Sequence, residues 1–331
     1  MTNPAHGNQM HESGIHHITA LTSDPRKNVA FYVRFLGLRL VKRTVNFDDP
    51  GTWHVYYGDG IGSPGTILTF FLYPGLAPGR HGIGQAVEIA FAVPQSAFSF
   101  WIDRLVTHRI DFEGPIERFG QKVIRFRDPD GLQLEIVADA SAPAVVPWSD
   151  MPAPPDQAIC GFHSITLWEE DPERTGRILT EILGYRAAGQ EGGRFRFTSR
   201  TDHVPGRIVE IRSTPGFWTG VSGAGTVHHI AFRAPDDATQ ATVRERVAHA
   251  GIEVTPVRDR NYFRSIYFRE PGGVLFEVAT DAPGFAIDEP VEHLGTGLRL
   301  PAWLEPRRAS IAAILPDLGI GPVQTSEEAS A

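Results

Sequence analysis

The sequence predicts an α+β chain of four repeated strand–helix–strands modules, grouped as two tandem pairs. Three observations predict it. Residues 14–38 (GIHHITALTSDPRKNVAFYVRFLGL) and 161–185 (GFHSITLWEEDPERTGRILTEILGY) follow one plan: an alternating strand, an Asp-Pro pair, a helical stretch and a closing Leu-Gly. Residues 123–137 (VIRFRDPDGLQLEIV) and 265–279 (SIYFREPGGVLFEVA) follow a second: a strand, a Pro/Gly turn and another strand that ends around a Glu. Between the halves lies SAPAVVPWSDMPAPPDQ (141–157), rich in Pro and small residues, which reads as a linker.

The modules run over about 14–72, 84–139, 160–213 and 225–280. In the first, Asp24 is placed to cap a helix, Pro25 suits its first position, and Gly37 suits a left-handed stop. Val29, Tyr32, Val33 and Leu36 recur at i, i+3, i+4 and i+7, an apolar stripe that must face a sheet. The second module opens on VEIAFAVP (87–94). The third repeats the caps at Asp171, Pro172 and Gly184, with the same Asp-to-Gly interval as the first (184−171 = 37−24 = 13). The fourth opens on VHHIAFRAP (227–235). Residues 285–331 form a tail with one helix near PAWLEPRRASIAAIL and a disordered end at TSEEASA.

Composition narrows the partners. The hydrophobic fraction of 41% supplies buried cores, but no apolar run approaches the roughly 20 residues that cross a bilayer. MTNPAHGNQMHESG has no basic start followed by an apolar stretch, so no secretory signal and no membrane contact are expected, and the protein reads as cytoplasmic. The net charge of −8, with scattered Lys and Arg, argues against nucleic acid. Cys160 is the only cysteine, which excludes an internal disulfide and a thiolate zinc cluster. Any metal must be held by His and carboxylates.

Aligning the modules shows where a metal could sit. The first strand of each offers one inward position, occupied by His17, Glu88, Ser164 and His229 in turn. The last strand offers another, four residues after a turn Gly, occupied by Thr69, Glu135, Glu210 and Glu277. Alternation lets only one residue of His16–His17, or of His228–His229, face a given cup. Pairing modules one and four collects His17, His229 and Glu277, with Thr69 in the fourth position. Pairing two and three collects Glu88, Glu135, Ser164 and Glu210, with no imidazole. Two neutral imidazoles and one carboxylate leave a divalent metal about one formal positive charge and open positions, the donor set that suits Fe(II).

Four such modules resemble the vicinal-oxygen-chelate superfamily of glyoxalases, bleomycin-resistance proteins and dioxygenases. Within it, GIHHITALTSDPRKNVAFYVRFLGLRLVKRTV, HVYYGDGIGSPGTILTFF, GTVHHIAF, RNYFRSIYFREPGGVLFE, DEPVEHLG and LPAWLEPRR together resemble the branch that opens hydroquinones. The resemblance implies four βαβββ modules in two tandem glyoxalase-like domains, each a curved mixed sheet flanked by helices. They would span 13–140 and 159–284, with tails at 1–12 and 285–331 and a linker at 141–158. It implies His17, His229 and Glu277 as ligands of Fe(II), with Mn(II) also compatible, and a small aromatic diol and O2 as partners. It also suggests that His16, His228, Arg260, Tyr262 and Tyr267 help the chemistry. A His could move protons on and off the diol, and Arg or Tyr could stabilise a developing anion.

His54 is a candidate for the cup floor, while Trp53, Tyr56 and Tyr57 read as core or an apolar wall, and His163 as structural. The expected activity is an Fe(II)-dependent, extradiol-type cleavage of hydroquinone or a substituted hydroquinone. Catechol cleavage is the alternative, although the resemblance would then call for a ligand from module three, where Ser164 stands. A glyoxalase-type lyase or isomerase would need a fourth protein ligand where Thr69 stands, and a metal-free binding protein would need no triad. The tail helix leaves a homo-oligomer open.

Overall fold

The computed structural model describes residues 14–320. The 1–12 tail and the TSEEASA end lie outside the described residues. Module one supplies β1 (Ile15–Thr22), β2 (Arg39–Asn46), β3 (Asp49–Gly58) and β4 (Ile67–Leu72). Module two supplies β5 (Gln85–Pro94), β6 (Phe112–Arg118), β7 (Gln121–Arg127) and β8 (Gln133–Asp139). Module three supplies β9 (Phe162–Glu169), β10 (Arg186–Glu191), β11 (Arg194–Thr198) and β12 (Ile208–Ser213). Module four supplies β13 (Val227–Ala234), β14 (Arg258–Asp259), β15 (Arg264–Arg269) and β16 (Leu275–Thr280).

Each module also carries its helix: α1 (Pro25–Val29), α2 (Phe98–Thr107), α3 (Pro172–Arg177) and α4 (Asp237–His249), with α5 (Arg308–Ile314) in the tail. The expected caps form. Asp24 accepts from the Lys27 N–H and Asp171 from the Glu173 N–H, and Gly37 and Gly184 take φ of 75° and 76°. The helices differ from expectation in pitch, because α1 widens into a π turn over Ala30–Phe35 and α3 does the same over Ile178–Ile182. The wider turn shifts the stripe: Val29, Tyr32 and Leu36 are buried, Val33 only partly, and Phe31 and Phe35 join the core.

Among the described residues the strands form two mixed eight-stranded sheets, β14-β15-β16-β13-β1-β4-β3-β2 and β10-β11-β12-β9-β5-β8-β7-β6. The first sheet therefore joins modules one and four, and the second joins two and three, the pairing that the inward positions require. The chain crosses between sheets after β4 and after β12. The two crossings brace each other through bridges at Pro78–Ala224, Arg80–Val221 and Ile83–Thr219. One apolar core runs between helices and both sheets, with Tyr32, Phe70, Trp101, Phe162 and Phe276 fully enclosed.

The tail folds back on module one. Ile311 of α5 packs with Val45, Leu300 and Leu304, and the Trp53 indole donates to the Pro316 carbonyl at 2.7 Å. Lys42, fully buried, is matched by tail carboxylates, Asp288 and Glu289, each at 2.6 Å. No helix among the described residues is long and apolar enough to cross a membrane.

Candidate metal centre

The centre of the first sheet sets the site. Strands β1 and β13 run antiparallel side by side, and β16 lies parallel to β13, placing Glu277 opposite Ala231. His17, His229 and Glu277 are buried, and their ligand atoms lie within 4.8 Å of one another. Glu277 Oε2 is 3.4 Å from His17 Nε2 and 2.9 Å from His229 Nε2. The Ser265 hydroxyl donates to the other carboxylate oxygen, Oε1. Burial alone would raise the Glu277 carboxyl, but His17 and His229 outweigh it and hold it well below its ordinary value.

The donor atoms fit a cation. His229 Nε2 and Glu277 Oε2 are buried and close, yet neither has a hydrogen-bond partner. Buried polar atoms rarely stay unsatisfied, and a shared divalent ion would satisfy both. Burial, offset in part by Glu277, holds the His229 imidazole below its ordinary value, so it presents a lone pair.

Both neighbouring histidines sit at β-bulges. His17 faces Ala231 and Ile15 faces Phe232, so His16 is an extra residue in β1; Thr19 faces His229 and Ala20 faces Val227, so His228 is extra in β13. The bulges break the alternation that would send each away. His16 Nδ1 lies 2.9 Å from His17 Nδ1, and His228 Nδ1 lies 2.7 Å from His229 Nδ1. They then diverge: His16 is buried behind His17, edge-on to Phe263 at 5.2 Å, whereas His228 lines the pocket.

The fourth position is closed to a metal by its own bonds. Thr69 Oγ1 donates to Thr19 Oγ1 at 2.9 Å and meets His54 Nε2 at 2.8 Å. His54 Nδ1 in turn meets the Tyr56 hydroxyl at 2.9 Å. His54 and Tyr56 both line the pocket, while Trp53 and Tyr57 join the core.

The pocket encloses about 390 Å³, in the range of small-molecule sites. Its walls include Phe71, Tyr73, Phe263 and Leu275. Tyr267 stands opposite Glu277 in the β15–β16 pairing, with its ring 6.0 Å from that of His229. Arg260 Nε donates to the Tyr267 hydroxyl at 3.1 Å, and its other arm reaches Asp48 at 3.0 Å across the mouth. Tyr262 does not line the pocket; its hydroxyl donates to Asp288 at 2.9 Å. Sequence reasoning missed Phe71 and Tyr73, although they follow Thr69 at the strand period of two. It also missed Ser265, on the face of Tyr267, and Asp48 and Arg258 at the mouth.

The second cup holds an ion-pair lattice where the first gathers metal donors. Glu88, Glu135 and Glu210 are buried at the expected positions. Arg118 holds Glu135 with two bonds, Arg194 spans Glu88 (2.6 Å) and Glu210 (3.2 Å), and Arg196 holds Glu210 (2.6 Å). The Trp168 indole adds a donor to Glu88 at 3.0 Å. His163 is the bulge residue of β9, and its ring nitrogens meet Ser164 (3.0 Å) and Gln121 (3.2 Å).

Residues 14–136 and 161–278 match the family model described as the Glyoxalase/Bleomycin resistance protein/Dioxygenase superfamily. MhqO of Bacillus subtilis (strain 168), provisionally named a ring-cleaving dioxygenase, is 48% identical over 298 residues, covering 90% of this chain and 94% of its own. The chlorohydroquinone/hydroquinone 1,2-dioxygenase of Sphingobium indicum is 32% identical over 299 residues, covering 88% of this chain and 92% of its own. A Bacillus subtilis crystal structure, provisionally named a dioxygenase, superposes with a TM-score of 0.89 at 46% identity, covering 93% of this chain and 98% of that one.

Proposed function

The chain belongs to the glyoxalase/bleomycin resistance protein/dioxygenase superfamily, and from that premise we propose that it is an Fe(II)-dependent dioxygenase opening hydroquinones with O2. Cleavage is extradiol-type, beside one hydroxyl. The observation that carries the reading is the pocket-facing donor set His17, His229 and Glu277 with Thr69 bound away in the fourth position. A ferrous ion there would supply the electron path between ring and O2, and Mn(II) fits the same donors.

The chain's own residues do the rest. His17 and His229 present Nε2, and Ser265 fixes the far oxygen of Glu277. Phe71, Phe263 and Leu275 take the ring and exclude water. His228, on the pocket wall, is placed to hold a diol oxygen beside the metal ligands. Arg260 occupies the Tyr267 oxygen as an acceptor, so that hydroxyl can turn its proton towards an anionic ring oxygen. His16 does not line the pocket and lies behind His17 and Phe263.

Two alternatives fit less well. A glyoxalase-type isomerase would need a ligand where Thr69 is committed to His54 and Thr19. A site built within the C-terminal pair would have to join modules three and four, which lie in different sheets. The test is O2 uptake by anaerobically iron-loaded protein given methylhydroquinone, catechol or the hemithioacetal of methylglyoxal. Uptake with the hydroquinone, lost in Glu277→Gln together with the iron, supports the reading. Isomerisation of the hemithioacetal without O2 uptake would replace it.

A further inference from the structure

The paired imidazoles contain more information than the triad uses. We infer that His16 and His228 are positioning residues that fix which nitrogen His17 and His229 offer to the metal, and that of the two His228 is the one that itself lines the substrate pocket. This rests on reading His17 and His229 as ligands.

The proton count leads to it. A nitrogen that gives its lone pair to a cation leaves the ring's single proton on the other nitrogen. Nε2 of each ligand faces Glu277, so the proton of His17 and of His229 lies on Nδ1. Each Nδ1 then donates to the Nδ1 of its bulged neighbour, at 2.9 and 2.7 Å. One proton fits between two such nitrogens. His16 and His228 must therefore carry theirs on Nε2. Carboxylates and backbone carbonyls commonly accept from metal-bound histidines; a neutral imidazole is a weaker acceptor, and it keeps the ligands neutral.

The surroundings separate the two pairs. His16 is 2% exposed, edge-on to Phe263, whose ring also packs at 4.9 Å on His17. It does not itself line the pocket, although Phe263 does. His228 lines the pocket, edge-on to Phe71 at 5.5 Å, and Phe71 packs on His54 at 4.4 Å. A ring seated against Phe71 bears on His228 and, through it, on His229.

The test compares His16→Leu, His16→Asn, His228→Leu and His228→Asn with the wild type by anaerobic Co(II) and Fe(II) titration, with the Co(II) absorption spectrum as signature. Both Leu variants should bind metal about 10–100-fold more weakly and alter the Co(II) spectrum, and the Asn amide oxygen should restore most of both. At saturating iron, KM for methylhydroquinone should shift more in His228→Leu than in His16→Leu. Leu variants that fold and bind like wild type, with an unchanged spectrum, overturn the inference. A wild type that binds no metal would instead sink the ligand assignment. Nitrogen-15 NMR of the zinc-loaded wild type needs no variant: protons on Nδ1 of His17 and His229 and on Nε2 of His16 and His228 are expected, and an Nδ1 proton on His16 contradicts it.

Discussion

Replacing Arg118 with Met should unfold this protein far more readily than replacing any surface arginine. Arg118 is 6% exposed and makes two bonds to Glu135, with Glu210 at 3.6 Å and Glu88 at 3.9 Å. Three buried carboxylates, Glu88, Glu135 and Glu210, are matched by Arg118, Arg194 and Arg196, and the half-exposed Arg212 also reaches Glu88 at 3.5 Å. Met fills similar space but takes away both of the bonds that Arg118 gives Glu135. Leaving one buried charge uncompensated costs about 3–5 kcal/mol, which lowers Tm on the order of 10 °C. Burial already raises the Glu135 carboxyl despite the Arg118 bonds. Without Arg118 it rises further, so protonation relieves part of the loss at pH 5 and little at pH 8. The double variant Arg118→Met/Glu135→Leu removes the stranded carboxylate together with its partner and should recover most of the stability. Urea unfolding followed by circular dichroism reads both. A single-variant loss below about 1 kcal/mol, as for an exposed pair, or a double variant weaker than the single, would refute the lattice argument.

Three further outcomes follow from the same contacts. Glu169 is buried, with Oε1 unpartnered, and burial followed by repulsion from Glu270 pushes its carboxyl from 4.5 up to about 8. A raised carboxyl costs stability as pH climbs through that window, so Glu169→Gln should gain in Tm from pH 5 to pH 8; a gain that is flat with pH would contradict this. Thr69→Glu supplies a second carboxylate as a fourth ligand, and should retain metal while O2 uptake falls away; full uptake would show that the fourth position does not matter. Asp48→Asn unpairs an exposed carboxylate from Arg260, so thermal melts should change by less than about 1 kcal/mol while KM for a hydroquinone rises; an unchanged KM would remove Asp48 from the mouth.

Local rules carried much of this molecule. The caps at Asp24 and Asp171 needed only backbone donors three or two residues on. The inward positions His17, His229 and Glu277 followed from strand alternation and module equivalence, and the pairing of modules one and four from the donor set it collects, which is the pairing the sheets adopt. What stayed hidden depends on partners chosen in three dimensions. No single-strand pattern shows the bulges that turn His16 and His228 onto their neighbours, because a bulge is a mismatch between two strands. The second cup read as carboxylates without imidazole, but the arginines that neutralise it come from β6 and β11, outside the aligned positions. Asp48 and Arg260 are joined only by the curl of the sheet that brings the ends of modules one and four together. The π turn that buries Phe31 and Phe35 breaks the 3.6-residue spacing on which a helical stripe is read.

Anomalous diffraction at the iron edge, from crystals grown anaerobically with Fe(II), tests the central claim most directly. One peak per chain is expected, within bonding distance of His17 Nε2, His229 Nε2 and a Glu277 oxygen, with the Thr69 hydroxyl still on His54 and Thr19. A peak bound through other side chains, one in the arginine-filled cup, or none at all would contradict it.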